Sequence, residues 1–314
     1  MKQALICLIV GISLFAGPAS EANAQRQKPD LEFTYSNSDP AFETGTGPIV
    51  TLLSINNSFV ERGSMDPFAN LAETDGFRVV RRQSDLAEAL ADPSGILVIA
   101  NPYLPEYRNF PAMTPPSAFS DEQIQAIHDW VNNGGSLLIL ADHAPLGGGS
   151  SKLAEKFGFE YLNGHAANTA RADAGYVRVD IEFSTENGLN EEHPITNGQS
   201  GRKPVNRYYA FGGQAFIPPP EAVQILTIPD GWSAIFTYRI SAELQSALRI
   251  DASGMAQGAA MDYGKGRIAV FSEAGGFTSQ IIDGTRRFGF NTEDGEENPE
   301  LILSTLRWLA GFNP

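Results

Sequence analysis

The sequence predicts an α/β fold: a doubly wound, mostly parallel sheet carrying a β-rich insertion. Three observations predict it. Runs such as Ile96 to Ala100 and Ser136 to Ala141 are apolar throughout, as strands buried on both faces are. Capped segments with apolar residues at helical spacing separate these runs, which is the pattern of βαβ crossovers. Between about Tyr176 and Asp262 the rhythm changes to alternating strands and long loops rich in Gly, Asn and Pro.

In chain order, Ile49 to Ser54 is the first strand. Pro67 to Asp75 follows as a helix with Phe68, Leu71 and Ala72 on one face, closed by Gly76. Phe77 to Val80 is the second strand. Ser84 is expected to cap a helix through Leu90, and Gly95 to Ala100 is the third strand. Ser120 with Gln123 forms a capping box, Ile124, Ile127 and Val131 fall at helical spacing, and Gly134-Gly135 ends that helix. Ser136 to Ala141 is the fourth strand, and Ser150 or Ser151 opens another helix. In the insertion, Val177, Val179, Ile181 and Phe183 alternate, and Val223, Ile225, Ile235 and Phe236 mark later strands. Arg267 to Phe271 returns to the buried type. Asn298-Pro299 reads as an N-cap and first-turn proline, with Leu301, Ile302, Thr305, Leu306 and Leu309 as the inward stripe of the last helix.

The chain has 314 residues, 42% hydrophobic and 19% charged, a globular composition. Twenty-two Lys and Arg against 37 Asp and Glu leave a net charge of −15. That balance excludes the basic stripe of a nucleic-acid binder and electrostatic docking on anionic lipid. Residues 1–24 read as an export signal: Lys2, an apolar run from Ala4 to Ala16, then Ala22-Asn23-Ala24 as cleavage site. The run is shorter than the roughly 18–20 residues that span a bilayer. Cys7, the single cysteine, falls inside it, so the mature chain has no disulfide or thiol nucleophile. The mature protein is expected to be periplasmic or secreted, with no membrane span, and to begin at Gln25. N-terminal sequencing of exported material checks this, and a chain still beginning at Met1 refutes it. Residues 25–46 read as a polar strap or linker, and 47–314 as a single domain with its insertion at about 176–262.

In open α/β sheets ligands bind beyond the carboxyl ends of the strands, at the point where strand order reverses. The residues at those ends are Asn56-Asn57-Ser58, Asn101-Pro102-Tyr103, Asp142-His143 and Ser272-Glu273. His143 is the candidate general base or acid, with Asp142 or Glu273 as charge partner. Asn56, Asn57 and Asn101 are candidate ligand donors, with Tyr103 and Tyr107 as candidate aromatic contacts. The alternatives are structural: Asp142 as a loop anchor with His143 its partner, and Glu273 in an ion pair with an arginine of the insertion. Gly147-Gly148-Gly149 lacks the spacing of a phosphate loop and reads as a flexible loop. His128 reads as a structural residue on the flank of its helix. No motif asks for a metal or a cofactor.

Several motifs together carry a resemblance. These are Ile139 to Pro145 after a Gly-Gly turn, Phe211 to Phe216, Gly264 to Ala274, Phe277 to Gln280, Asn291 and the Asn298 to Gly311 helix. The chain from about Ile49 to Gly311 resembles an exported bacterial family of unknown function. That family is similar to the class I glutamine amidotransferase-like, flavodoxin-like fold, and is related to the auxiliary domain of gliding-motility ABC transporters. The resemblance implies that fold and a polar crevice built from the Asn56/Asn57, Asp142/His143 and Glu273/Gln280 segments, which adds Gln280 as a ligand-binding candidate. It implies no amidotransferase chemistry, because the mature chain lacks the nucleophilic cysteine. The expected function is a crevice for a carbohydrate or other small polar envelope ligand. The alternatives are a hydrolase- or lyase-type enzyme using His143 with Asp142 or Glu273, and a non-catalytic component of an envelope complex with an envelope protein partner.

Overall fold

The computed structural model describes residues 27–56, 58–104, 116–170, 177–237 and 247–313. The proposed signal segment, Asn57 and Tyr107 lie outside them. In chain order the strands and helices are β1 (Gln27–Pro29), β2 (Ile49–Leu53), α1 (Asp66–Thr74), β3 (Arg78–Gln83), α2 (Leu86–Ala89) and β4 (Ile96–Ala100). Next come α3 (Asp121–Asn132), β5 (Ser136–Leu140), α4 (Ser151–Lys156), β6 (Glu160–Tyr161), β7 (His165–Asn168), β8 (Ile181–Ser184) and β9 (Arg207–Ala210). Then follow β10 (Phe216–Ile217), β11 (Val223–Thr227), β12 (Trp232–Phe236), β13 (Leu248–Asp251), β14 (Ala256–Tyr263), β15 (Gly266–Phe271), β16 (Ser279–Ile282), β17 (Arg286–Gly289) and α5 (Asn298–Leu309).

The apolar runs beginning at Ile49, Ile96, Leu137 and Ile268 are parallel neighbours, as β2, β4, β5 and β15. With β3 beside β2, the parallel strands take the order 2-1-3-4-5, and strand order reverses between β2 and β4. Their residues alternate between two cores. Val50, Leu52, Ile96, Val98, Leu138 and Leu140 pack with α1 and α5 on one face. Leu97, Ile99, Leu137, Ile139, Ile268 and Val270 pack with α3 and α4 on the other. Each fully buried side chain contributes about 1.5–3 kcal/mol, and this two-sided burial is what the continuous apolar runs encode.

Beyond β15 the sheet continues antiparallel through β14, β10 and β6, and β11 also pairs with β14. The other strands form smaller antiparallel sheets: β13–β12–β7, β8–β9 and β1–β16–β17. The β-rich part thus begins at Glu160, before the alternation that marks it in the sequence. It contributes strands to the central sheet as well as separate sheets beside it.

The helix caps differ from expectation at two points. Asp85, not Ser84, caps α2: its carboxylate accepts the N–H groups of Ala87 and Glu88 at 2.8 and 3.2 Å. Asn298 is the first residue of α5 and not its cap. Its side chain instead accepts Tyr209 N–H at 2.9 Å and donates to the carbonyls of Tyr209 and Gly276 at 2.8 and 3.1 Å. That clamps β9 to the turn after β15. α5 is buried all round, Ser304 and Arg307 included, where the sequence pattern showed a single inward stripe. Residues 27–46 explain part of this, since they form an ordered strap: β1 joins β16, and Phe42 packs edge-on against Phe77 and Phe312.

Candidate functional site

The ends of β4, β5 and β15 bring Asn101, Asp142, His143 and Glu273 into one buried polar cluster. Asn101 sits in the left-handed region, φ 45°, which asparagine tolerates. Its side-chain oxygen accepts Asp142 N–H at 2.6 Å, and its amide nitrogen reaches Asp142 Oδ2 at 3.5 Å. Asn101 therefore holds Asp142 from behind. Asp142 Oδ1 accepts the N–H of His143 at 3.0 Å, which ties the loop to the carboxylate.

His143 is half-buried. Its Nδ1 lies 2.9 Å from the carbonyl of Ala144, a bond that requires a proton on Nδ1. In the neutral ring Nε2 is then the acceptor. The imidazole of His165, from β7, stacks on it with ring centroids 4.2 Å apart and an interplanar angle of 24°. His165 Nε2 is buried without a hydrogen-bond partner among the described residues. Burial, then the neighbouring His143, push its pKa down to about 3, so this ring stays neutral.

Glu273 is 1% exposed, and no arginine pairs with it among the described residues. It accepts the Tyr208 hydroxyl at 2.8 Å and the N–H of Gly276 at 2.9 Å. This corrects the expectation of an ion pair with the insertion. Burial, then the charge of Asp142, raise its pKa to about 8, against the lowering effect of its hydrogen bonds. Burial and the neighbouring Asp142 charge thus both favour the protonated form of Glu273. Gly212 and Gly213 close the cluster, both at positive φ. A side chain on Gly212 would meet the His143 ring at 3.9 Å, and one on Gly213 would meet the Glu273 Cβ at 3.0 Å.

Gln214 joins these pieces. It is wholly buried, donates to the carbonyl of Asp142 at 2.8 Å, and accepts Asn163 N–H at 2.8 Å. Its own N–H and carbonyl bind Ser272, beside Glu273. The Gly147–Ser150 segment is a packed 3-10 turn and not a flexible loop. A methyl on Gly147 would overlap Gln214 and the Asp142 carbonyl, and one on Gly149 would overlap the Pro102 carbonyl. Gly149→Ala is expected to cost about 1–3 kcal/mol by forcing the backbone apart, measurable by urea unfolding. An unchanged midpoint would mean that the turn yields.

The remaining sequence candidates have other placements. Asn56 is exposed at φ 43° and donates to the carbonyl of Ala118, which pins the loop after β2. Gln280 is buried in β16, in register with Pro29 and Phe288 of the separate three-stranded sheet. The cluster lies at the β4, β5 and β15 ends, and borders the reversal between β2 and β4 on its β4 side. The sequence leaves open whether His165 and His193, read there as loop residues, reach the site; His165 lies in β7, stacked on His143. Sequence reasoning missed Tyr208 and Gln214 as members, and only the Phe211-Gly212-Gly213-Gln214 motif pointed at either. It also missed a cavity of about 410 Å³ under the strap, lined by Tyr35, Asn37, Asp39, Arg202, Lys203 and Glu300. Among the described residues, no group of three or more His, Cys, Asp or Glu is arranged to hold a metal ion.

No protein-family model matches the chain. No curated protein matches it either. Solved structures do match at low similarity. The N-terminal domain of mmIFT52 shares 10% identity at a TM-score of 0.49, over 82% of this chain and 96% of that one. A putative ThuA-like protein from Bacteroides uniformis shares 10% identity at 0.47, over 90% and 98%. Another from Parabacteroides merdae shares 14% at 0.44, over 85% and 91%. These values are too low to transfer an activity.

Proposed function

We propose that this chain is an exported protein that binds a small, uncharged polar ligand, carbohydrate being the class that fits, at the carboxyl ends of β4, β5 and β15. The observation that carries the reading is His143: half-buried, with Nδ1 held by Ala144 and Nε2 left as an acceptor. A ligand hydroxyl is the complementary donor. Among the described residues no Lys or Arg pairs with Asp142 or Glu273, so an anionic ligand finds no counter-charge there. The parallel strand order 2-1-3-4-5 supports the class I glutamine amidotransferase-like reading. Kinship with the gliding-motility auxiliary domain, and an envelope partner, rest on the sequence motifs alone.

A second reading, a hydrolase- or lyase-type enzyme, is favoured by Glu273. Burial and the Asp142 charge raise its proton affinity, and a carboxyl so tuned, at the strand ends that also carry His143, is a feature of acid–base sites.

A thermal-shift screen of neutral sugars against the protein tests both readings, because specific binding raises the melting temperature. A hit that His143→Ala abolishes, with the unliganded melting temperature unchanged, supports the site. A loss of about 1–3 kcal/mol in stability on that substitution would instead make His143 a structural anchor. Turnover of a hit, lost in the same variant, selects the enzyme reading.

A further inference from the structure

The strap is extended over residues 33–38. Exposure alternates along it with the period of a strand: Phe33, Tyr35 and Asn37 are half-buried, and Thr34, Ser36 and Ser38 are exposed. The three inward side chains hold it in place. Phe33 packs on Phe290 with ring centroids 5.5 Å apart, the Tyr35 hydroxyl donates to Glu300 at 2.6 Å, and Asn37 Nδ2 donates to Asp75 at 2.7 Å. Yet among the described residues no backbone N–H or carbonyl of Phe33 to Ser38 has a hydrogen-bond partner. A strand fixed by its side chains, with its backbone groups unpaired, is a template for another strand. Beside it a cavity of about 320 Å³ opens between the strap and α1, lined by Leu31, Phe33, Tyr35, Pro67, Leu71 and Phe290. Asn70 and Thr74 also reach it, but their polar groups are committed. Asn70 Oδ1 accepts from Arg81 at 2.9 Å, and the Thr74 hydroxyl donates to the Leu71 carbonyl at 2.6 Å. The cavity therefore suits an apolar group, and its wall residue Leu31 is 56% exposed.

We propose that this groove binds an extended segment of a partner protein, which adds to the strap as a strand and places a large apolar side chain in the cavity, with basic residues at alternate positions. Cross-strand neighbours share a face. Partner side chains beside Phe33 or Tyr35 therefore point inward, and those beside Thr34 or Ser36 point to solvent. Charge selects what the outward positions carry. Glu32, just before the segment, is exposed, and its carboxylate has no partner among the described residues. With the chain at a net charge of −15, Lys or Arg is favoured there over Asp or Glu. Because the strap is already ordered by Phe33, Tyr35 and Asn37, the partner segment bears most of the ordering cost.

A fluorescent heptapeptide that alternates Lys and Phe tests this by anisotropy. Its dissociation constant is expected on the order of 100 μM, as for small transient contacts. Ser in place of every Phe keeps the charge and should weaken binding at least about tenfold. Glu in place of every Lys keeps the anchor and should also weaken it. N-methylation of the Phe amides alone, or of the Lys amides alone, blocks one edge of the added strand. One of these two peptides should lose binding and the other keep it, because backbone groups alternate in direction. Thr74→Phe fills the cavity from α1 and should abolish binding. Leu31→Ser changes an exposed wall residue and should weaken binding about fivefold with the melting temperature unchanged. No binding of the parent peptide at about 1 mM overturns the proposal. So does a Lys-Ser peptide that binds as well, equal affinity of the two N-methylated peptides, or wild-type affinity in both protein variants. Self-association of the wild type that Thr74→Phe removes would give the groove to a second copy of the chain, and overturns the proposal too.

Discussion

Replacing Arg307 with Met should lower the unfolding free energy by about 3–5 kcal/mol. Arg307 is 1% exposed on α5, and Asp75, at the end of α1, is wholly buried. Arg307 Nε and Nη2 meet the two carboxylate oxygens of Asp75 at 2.7 and 2.6 Å, and Nη1 donates to the Ser200 carbonyl at 3.1 Å. Nη2 also reaches the carbonyl of Asp39 in the strap. Asp75 further accepts Asn37 Nδ2 at 2.7 Å and Ala41 N–H at 3.2 Å. One ion pair thus ties α1, α5, the insertion and the strap together. Met fills much of the volume but leaves the Asp75 charge buried, with Arg202 at 3.6 Å the one remaining cation paired with it among the described residues. The melting temperature should fall by roughly 6–20 °C. Adding Asp75→Asn should recover part of the loss, since the amide oxygen still accepts from the strap while the buried charge is gone. Equal stability of the single and double variants would show that lost packing, and not the stranded charge, sets the cost.

Glu273→Gln should change how stability depends on pH. In the unfolded chain this carboxyl ionises near its ordinary value of 4.5, whereas in the folded protein it is raised to about 8. Between those values the folded state holds a proton that the unfolded state has released. Its contribution to stability is therefore complete below about pH 4.5 and is lost as pH rises through about 8. The loss approaches 1.4 kcal/mol per pH unit, an upper value of about that size. Gln cannot titrate, so the stability of the variant minus that of wild type should climb from pH 5 to 8 and level off above. His165, lowered to about 3, and His193, lowered to about 4 by burial, act in the opposite sense: their contributions are present above pH 6.5 and lost as pH falls. They are shared by both proteins and cancel in the difference. Parallel curves for variant and wild type would mean that Glu273 is ionised in the folded state.

Much of the central sheet was legible in the sequence because its information is local. A strand buried on both faces must be apolar throughout, so β2, β4, β5 and β15 announce themselves. The Ser120–Gln123 capping box and the left-handed glycine after α1 mark helix ends within a few residues of chain. Asp142 and His143 were legible as site candidates for the same reason: they are the first polar residues after a buried run.

What escaped was decided by contacts between segments far apart. His165 reaches His143 only because β7 is placed by its pairing with β12, some seventy residues on. Tyr208 meets Glu273 because Asn298 clamps β9 beside the turn after β15. Asn298 looked like a helix cap because its type suits one, but a long-range partner for its amide outcompeted the local bond. The same holds for α5, whose pattern shows an inward stripe because periodicity records only the face that is apolar. Its polar face is buried by ion pairs and hydrogen bonds from the strap and the insertion, which no periodicity encodes. The sequence by itself determined the parallel strands, the helices between them and the edge where polar groups collect. Tertiary structure decided which of those groups meet, because burial and electrostatic coupling belong to pairs of segments and not to either alone.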